Sequence, residues 1–198
     1  MKIRKNIILI TIILVHLLMT LTTFAKEPDD IKYTFTQTDS TYSFSGSFKI
    51  KANPNCLLDI CFQHEHISAL APDAKEVLIK DQGNDWNQIS YTYQKFIYFE
   101  NKSVWNRKFD KENMRVDFTL ISSKNNHAIM PKMVSSSGYY QISMKDEEIT
   151  VKYSQQCQLT KSSITNLYLN RVKKEALQFM YRFLKYANTI CNDSLLNN

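Results

Sequence analysis

A long amphipathic segment near the end of the chain, residues 162–191, constrains the fold more than any other feature of the sequence. It contains neither Pro nor Gly, and its apolar residues recur at steps of three and four, the spacing of one helix face. The residues of this stripe are Leu169, Val172, Ala176, Phe179, Met180, Phe183, Ala187 and Ile190. The pattern predicts a helix that must lie against a wide apolar surface.

The chain before this helix alternates between apolar and polar residues, which is typical of half-buried β-strands. The clearest alternation covers residues 41–52, and Asn53 and Pro54 then predict the start of a short helix. A second short helix is predicted over residues 66–70. Further strands are predicted over residues 75–81, 86–99, 104–109, 114–122, 134–144 and 149–157.

Short polar turns separate these strands, so sequence neighbours are expected to pair antiparallel. We therefore predict an α+β fold of the helix-grip type, in which a curved antiparallel sheet of about seven strands wraps around a long C-terminal helix. Two short helices follow the first strand. The predicted organisation is a signal peptide over 1–25, a lead-in over 26–40, the domain over 41–192 and a tail over 193–198.

The first 25 residues have the pattern of a secretory signal peptide. Lys2, Arg4 and Lys5 precede an apolar run, and Ala25 supplies a small residue at a cleavage point. An uncleaved membrane anchor is the alternative, but threonines interrupt the end of a run that is shorter than the roughly 20 residues a spanning helix needs. We expect cleavage near Ala25 and a secreted or periplasmic protein.

The charge of the mature chain is mild. The full sequence has 25 basic and 19 acidic residues, and loss of the three basic residues of the signal peptide leaves 22 against 19, a net charge of +3. This balance does not favour nucleic-acid binding, and three Gly do not favour a phosphate-binding loop, so no nucleic acid and no cofactor is expected. We expect a monomer. The basic face of the last helix comprises Lys173, Lys174, Arg182 and Lys185. Such a face more often keeps a long helix soluble, and transient contact with an anionic membrane is the alternative.

Four cysteines in a chain that leaves the cytoplasm are disulfide candidates: Cys56, Cys61, Cys157 and Cys191. They allow three pairings. If the last helix crosses the sheet towards the segment after the first strand, Cys191 meets Cys56 or Cys61. The sequence leaves that choice open.

The residue types of metal and hydrolase sites are sparse. Cys61, His64 and His66 are closely spaced, but further ligands are not apparent, so a surface loop is preferred over a metal site. The sequence has no Gly-x-Ser-x-Gly elbow, and His127 is the only other histidine of the mature chain. We expect no metal, and a binding protein is preferred over an enzyme.

Two motifs carry a resemblance to a known family. The first is Phe44-x-Gly46-x-Phe48-x-Ile50-x-Ala52-x-Pro54, followed by Leu57-Leu58-Asp59. The second is Gly138-Tyr139-Tyr140 with Ile149-Thr150-Val151-x-Tyr153. These motifs resemble the START and polyketide-cyclase-like superfamily over residues 41–191. The resemblance implies an apolar cavity between the sheet and the C-terminal helix; members bind lipids, sterols, polyketides or hormones, and a minority catalyse reactions.

The aromatic content of the strands suggests what lines such a cavity. Several buried tyrosines differ from an aliphatic core, because each hydroxyl needs a partner, and an apolar wall with a few hydroxyls suits an amphipathic ligand. The predicted ligand-binding residues are Tyr91, Tyr93, Trp105, Arg107, Phe118, Tyr140, Tyr153, Val172, Ala176, Phe179 and Phe183. The predicted function is binding, with transfer, of a hydrophobic or lipid-like molecule. The alternatives are a cyclase-like enzyme and a protein-interaction domain whose cavity is filled by its own side chains.

Overall fold

The computed structural model describes residues 30–95, 99–126, 129–145 and 148–192. The predicted signal peptide and tail lie outside these residues, as do Phe96 and His127. The described elements are β1 (Ile31–Thr38), β2 (Thr41–Ile50), α1 (Pro54–Phe62), α2 (His64–Leu70), β3 (Ala74–Gln82), β4 (Trp86–Lys95), β5 (Phe99–Asp110), β6 (Arg115–Asn125), β7 (Met133–Lys145), β8 (Glu148–Leu159) and α3 (Thr165–Asn192).

The strands form one antiparallel sheet in the order β1-β2-β8-β7-β6-β5-β4-β3. Every pair in this sheet joins strands that are neighbours in sequence, except the β2–β8 pair. That pair joins the start of the domain to its end. The α+β fold, the long C-terminal helix and the two short helices after the first long strand are as predicted. The described sheet has eight strands, one more than the sequence predicts.

The additional strand is β1, which lies within the predicted lead-in. Its alternating residues Ile31, Tyr33 and Phe35 pack towards the core, and the Tyr33 ring stacks on Phe44 with centroids 6.2 Å apart. A tight turn joins β1 to β2, and Asp39 in that turn has a φ of 49°. The polar residues around β1 favour a lead-in, but Ile31, Tyr33 and Phe35 have the period-two spacing of a strand.

Helix α3 packs its middle and end against the sheet. Met180, Phe183 and Ala187 are fully buried, and the Phe183 ring meets Phe48 of β2 edge to face with centroids 5.4 Å apart. The buried side of the helix continues through Ala187 to Cys191, both fully buried, whereas Ile190 between them lies to one side of it and is 38% exposed. The predicted stripe is thus correct over most of its length and wrong at this residue.

A disulfide ties the end of α3 to the first short helix. Asn53 caps α1, because its side-chain oxygen accepts hydrogen bonds from the backbone N–H groups of Asn55 and Cys56. Cys56 in the first turn of α1 is bonded to Cys191. Of the two pairings left open by the sequence, the structure selects Cys56. Cys61 and Cys157 are buried free thiols, so their prediction as disulfide candidates is wrong.

Gly138 in β7 allows a close approach between the strand and an aromatic ring. It is paired with Phe118 on β6 and Gln155 on β8. A Cβ atom at this position would collide with the backbone carbonyl of Ser154 and with the Phe118 ring. The absence of a side chain therefore fixes where the Phe118 ring lies on the inner face of the sheet.

The disulfide is expected to contribute substantially to stability. It closes a loop with a sequence separation of 135, and cross-links of this kind typically contribute about 2–4 kcal/mol. Urea unfolding of the oxidised protein should therefore give a free energy of unfolding higher by about that amount than the Cys56→Ala/Cys191→Ala variant. Reductant should destabilise only the wild type. A peptide map that links Cys61 or Cys157 instead would contradict the structure.

The Gly138→Ala variant should be less stable than the wild type by about 1–3 kcal/mol, because the added methyl group overpacks a filled site. Urea unfolding measures this difference. Ser137→Ala is the matched control, since Ser137 is the exposed neighbour on the same strand and its change should be close to neutral. Equal stability of the two variants would show that the contact at Gly138 is not tight.

Candidate ligand-binding cavity

A cavity of about 430 Å³ lies between the inner face of the sheet, α3 and the two short helices. Ligand pockets of proteins typically measure roughly 300–1,000 Å³, so this volume is sufficient for a small organic molecule. Residues of β2, α1, α2, β4 to β8 and α3 contribute to its wall. The cavity is therefore enclosed jointly by the sheet and the three helices.

The wall is largely apolar. Val172, Ala176 and Phe179 of α3 face the cavity on the side of the helix next to its sheet-packed stripe. Other apolar residues of the wall come from α1, α2, β5, β6, the segment before β7 and the first residue of β7: Ile60, Ile67, Leu70, Trp105, Phe118, Met130, Pro131 and Met133. An apolar molecule placed here would exchange water for apolar contacts on several sides.

An aromatic cluster forms one end of the wall. The Tyr153 ring lies at the centre of this cluster, with ring centroids 5.1 Å from Tyr140, 5.2 Å from Phe179 and 5.7 Å from Phe118. Alternate residues of β6, β7 and β8 point to the same face, which brings Phe118, Tyr140 and Tyr153 together with the helix. Rigid rings of this kind give the cavity a defined shape.

The buried tyrosine hydroxyls are neutral and partly bonded. Burial raises the pKa values of Tyr140 and Tyr153 well above that of an ordinary tyrosine. The Tyr153 hydroxyl donates to Gln155 Oε1 at 2.9 Å, and Gln155 Nε2 donates to Ser136 Oγ at 3.1 Å. The Ser136 hydroxyl donates to the backbone carbonyl of Gln156 at 2.8 Å. This chain of bonds fixes the hydroxyl of Tyr153.

Arg107 of β5 is the one predicted site residue that carries a charge, and it is only 4% exposed. Its guanidinium donates to the backbone carbonyl of Phe62 at 3.1 Å and to that of Cys61. These carbonyls belong to the last turn of α1, where carbonyl groups have no hydrogen-bond partner within the helix. Arg107 therefore caps the C-terminus of α1 while its side chain also lines the cavity.

Charged side chains at the edge of the cavity are more exposed than Arg107. Asp73 and Glu100 are exposed, and Glu175 of α3 pairs with Arg171 one turn earlier, with 3.5 Å between nitrogen and oxygen. Arg182 Nε donates to the backbone carbonyl of Leu70 at 3.3 Å, which joins α3 to α2. These groups separate the apolar interior from the solvent.

The structure brings together all of the predicted site residues except one. Tyr91, Tyr93, Trp105, Arg107, Phe118, Tyr140, Tyr153, Val172, Ala176 and Phe179 line the cavity. Phe183 does not; it lies one turn after Phe179 and is buried against Phe48 in the core. Contact of the lining residues with a ligand remains a prediction.

Some lining residues were missed in the sequence. Asn101 belongs to the first part of β5, which sequence analysis left outside the predicted strand, and it faces the cavity next to Asn125 of β6. The side-chain oxygen of Asn101 is buried and has no hydrogen-bond partner among the described residues. Cys61 also lines the cavity. The apolar spacing of α1 indicates that Cys61 is buried, but not that it faces a cavity.

The two histidines of the short cysteine and histidine motif bond to different parts of the protein. His64 Nε2 lies 3.1 Å from the backbone oxygen of Val77, and His66 Nδ1 lies 3.0 Å from the Tyr186 hydroxyl, so the two rings point to different partners. In the described ranges, no three His, Cys, Asp or Glu side chains are grouped to hold a metal ion.

None of the described helices combines the length and apolarity needed to cross a membrane.

Comparison by sequence gives no relative: no protein-family model matches the chain, and no curated protein matches it significantly. Comparison by structure gives many. The STAR-related lipid transfer protein from Xanthomonas axonopodis has a TM-score of 0.64 and 10% identity, with 83% of this chain and 97% of that chain covered. The Zhui aromatase/cyclase from Streptomyces sp. R1128 has a TM-score of 0.60 and 9% identity, covering 80% and 94%.

A START superfamily protein from Mycobacterium smegmatis is also similar, with a TM-score of 0.56, 10% identity, and 75% of this chain and 98% of that chain covered. Identities this low establish the architecture and leave ligand and chemistry to the site itself. The sheet order, the two short helices, the long C-terminal helix and these similarities lead to one conclusion: the chain has the START/polyketide cyclase-like, helix-grip fold.

Proposed function

We propose that this protein binds a hydrophobic or amphipathic, lipid-like molecule in its cavity and carries it outside the cytoplasm. The observation that carries the proposal is the cavity itself, about 430 Å³ between the sheet and α3, with a wall that is mainly apolar and aromatic. The similarity in fold to a lipid transfer protein and to an aromatase/cyclase supports a hydrophobic ligand of some kind.

The driving force is the transfer of apolar surface out of water. Burial of roughly 300 Å² of ligand surface would contribute about 7 kcal/mol before the cost of immobilising the ligand is subtracted. The ligand reaches the cavity when α3 or the segment around Met130 and Met133 moves away from the sheet. Asn125 Nδ2 donates to the carbonyl oxygens of Met130 and Pro131, and these bonds hold the segment in place.

An oxidising location is part of the proposal. The Cys56–Cys191 disulfide supports it, because such bonds persist mainly outside the cytoplasm, and residues 1–25 have the pattern of a signal peptide. Intact mass measurement of the protein from its own host should give a chain that begins at Lys26. A mature chain that still begins at Met1 would contradict cleavage and favour a membrane anchor.

Transient contact with an anionic membrane surface is the means of exchange that we propose. Lys173, Lys174 and Lys185 are exposed on α3. Arg182 does not belong to this basic face, since it is half-buried and bonded to Leu70. Binding to anionic vesicles that disappears at high salt would support the contact, and equal binding to neutral vesicles would contradict it.

A protein-interaction domain and a cyclase-like enzyme are the two alternative functions. A domain whose cavity is filled by its own side chains is not favoured, because the cavity has a substantial volume. A cyclase-like enzyme requires a group in the cavity that exchanges protons near neutral pH. Burial instead raises the pKa values of Tyr91, Tyr140 and Cys61, which keeps these groups protonated. Screening for altered ligand mass after incubation tests this function.

The proposal predicts that filling the cavity abolishes binding. Ala176→Trp places a large ring in the cavity wall and should weaken binding of a neutral fluorescent hydrophobic probe at least about tenfold, because the ligand loses its space. Gln178→Trp is the matched control, since Gln178 is exposed on the same helix. A titration of probe fluorescence measures both. Unchanged affinity of a folded Ala176→Trp variant would contradict binding in this cavity.

A further inference from the structure

The cavity contains a positive charge that the described part of the chain does not neutralise with a carboxylate. Arg107 is nearly fully buried, and none of the ion pairs among the described residues includes it. Its bonds to Cys61 and Phe62 use the partial negative charge at the C-terminus of α1, which amounts to roughly half an elementary charge. A buried guanidinium without a paired carboxylate among the described residues therefore lines the cavity.

The guanidinium has donors left after it has capped the helix. An arginine side chain offers five N–H groups in a planar fork, and the two bonds to the α1 carbonyls use only part of that set. One terminal nitrogen bonds to each carbonyl, so N–H groups of the guanidinium, Nε among them, have no bond to α1, and the side chain lines the cavity. Such a fork matches the paired oxygens of a carboxylate or phosphate.

The groups beside Arg107 are also donors. Tyr91 and Tyr140 line the same cavity, and the charge of Arg107 acts on both hydroxyls. Burial raises the pKa values of both side chains, an effect larger than the opposite influence of Arg107, so both stay protonated. A hydroxyl in this state can donate to a head-group oxygen. The exposed carboxylates of the wall, Asp73 and Glu100, do not pair with the guanidinium.

We propose that the ligand is an amphiphile with an anionic head group, a carboxylate or a phosphate, and that Arg107 binds this head group inside the cavity. The apolar side chains Val172, Ala176 and Phe179 then contact the tail. This inference rests on the proposed function and adds the chemical class of the ligand. It also gives Arg107 a second role beside its bonds to α1.

The test compares probes that share a twelve-carbon tail and differ in the head: dodecanoate, dodecyl phosphate and dodecanol, each measured by displacement of a neutral fluorescent probe. One anionic probe or both should bind the wild type about 10- to 100-fold more tightly than dodecanol, the range expected for charge-assisted hydrogen bonds. The tighter of the two identifies the head group. Equal affinity for all three would overturn the inference and leave the proposed function standing. Displacement by none would contradict both.

Variants locate the effect at Arg107. Arg107→Gln should remove most of the preference for the anionic probes while dodecanol binds as before. Lys108→Gln is the matched control, because Lys108 is exposed on the same strand and is not among the residues that line the cavity, and it should keep the preference. An equal loss in both variants would show a general charge effect and overturn the inference. If loss of the α1 cap unfolds Arg107→Gln, the Arg107→Lys variant replaces it, since lysine keeps the charge but loses the fork. Arg107→Lys should then show a smaller preference for the anionic probes than the wild type, and an unchanged preference would overturn the role of the fork.

Discussion

The packing of α3 on the sheet is the interaction on which the rest of the structure depends. One side of the helix, with Met180, Phe183 and Ala187, is buried against β2 and its neighbours and anchors the domain. The adjacent side, with Val172 and Ala176, faces the cavity. A single amphipathic helix thus supplies both core and cavity wall. The disulfide at Cys191 fixes the end of the helix to α1, and the fully buried Leu169 holds its start against the sheet.

The polar groups in the cavity wall are few, and most are held by bonds within the protein. An unpaired polar group in an apolar space is costly, so each one that faces the cavity either has a protein partner or can be satisfied by a ligand. The Tyr153 hydroxyl has its partner in Gln155, and Arg107 is held by the end of α1. Asn101 contributes a buried oxygen without a described partner. The cavity therefore combines an apolar majority with a few oriented polar groups, as ligand sites commonly do.

Much of this arrangement follows from periodicity. The apolar stripe of α3 and the alternation in β4, β7 and β8 predict the helix residues and the tyrosines of the wall, whereas the inward face of each strand becomes clear only in the structure. Phe183 was predicted to line the cavity but packs on Phe48 in the core. The apolar stripe of the helix is wider than the cavity, and periodicity does not show where contact with the sheet ends. Asn101 was missed because the sequence pattern assigns Phe99 to the preceding predicted strand, 86–99, whereas Phe99 begins β5. The capping of α1 by Arg107 joins elements far apart in sequence and leaves no local pattern.

Native mass spectrometry of the oxidised protein, purified from its own host, tests the account most directly. The account predicts a discrete added mass on the folded protein that is lost in organic solvent, and whose fragments show an apolar chain with an anionic head. A protein that carries no added mass, and that takes up none from a mixture of lipids, would contradict ligand binding in the cavity.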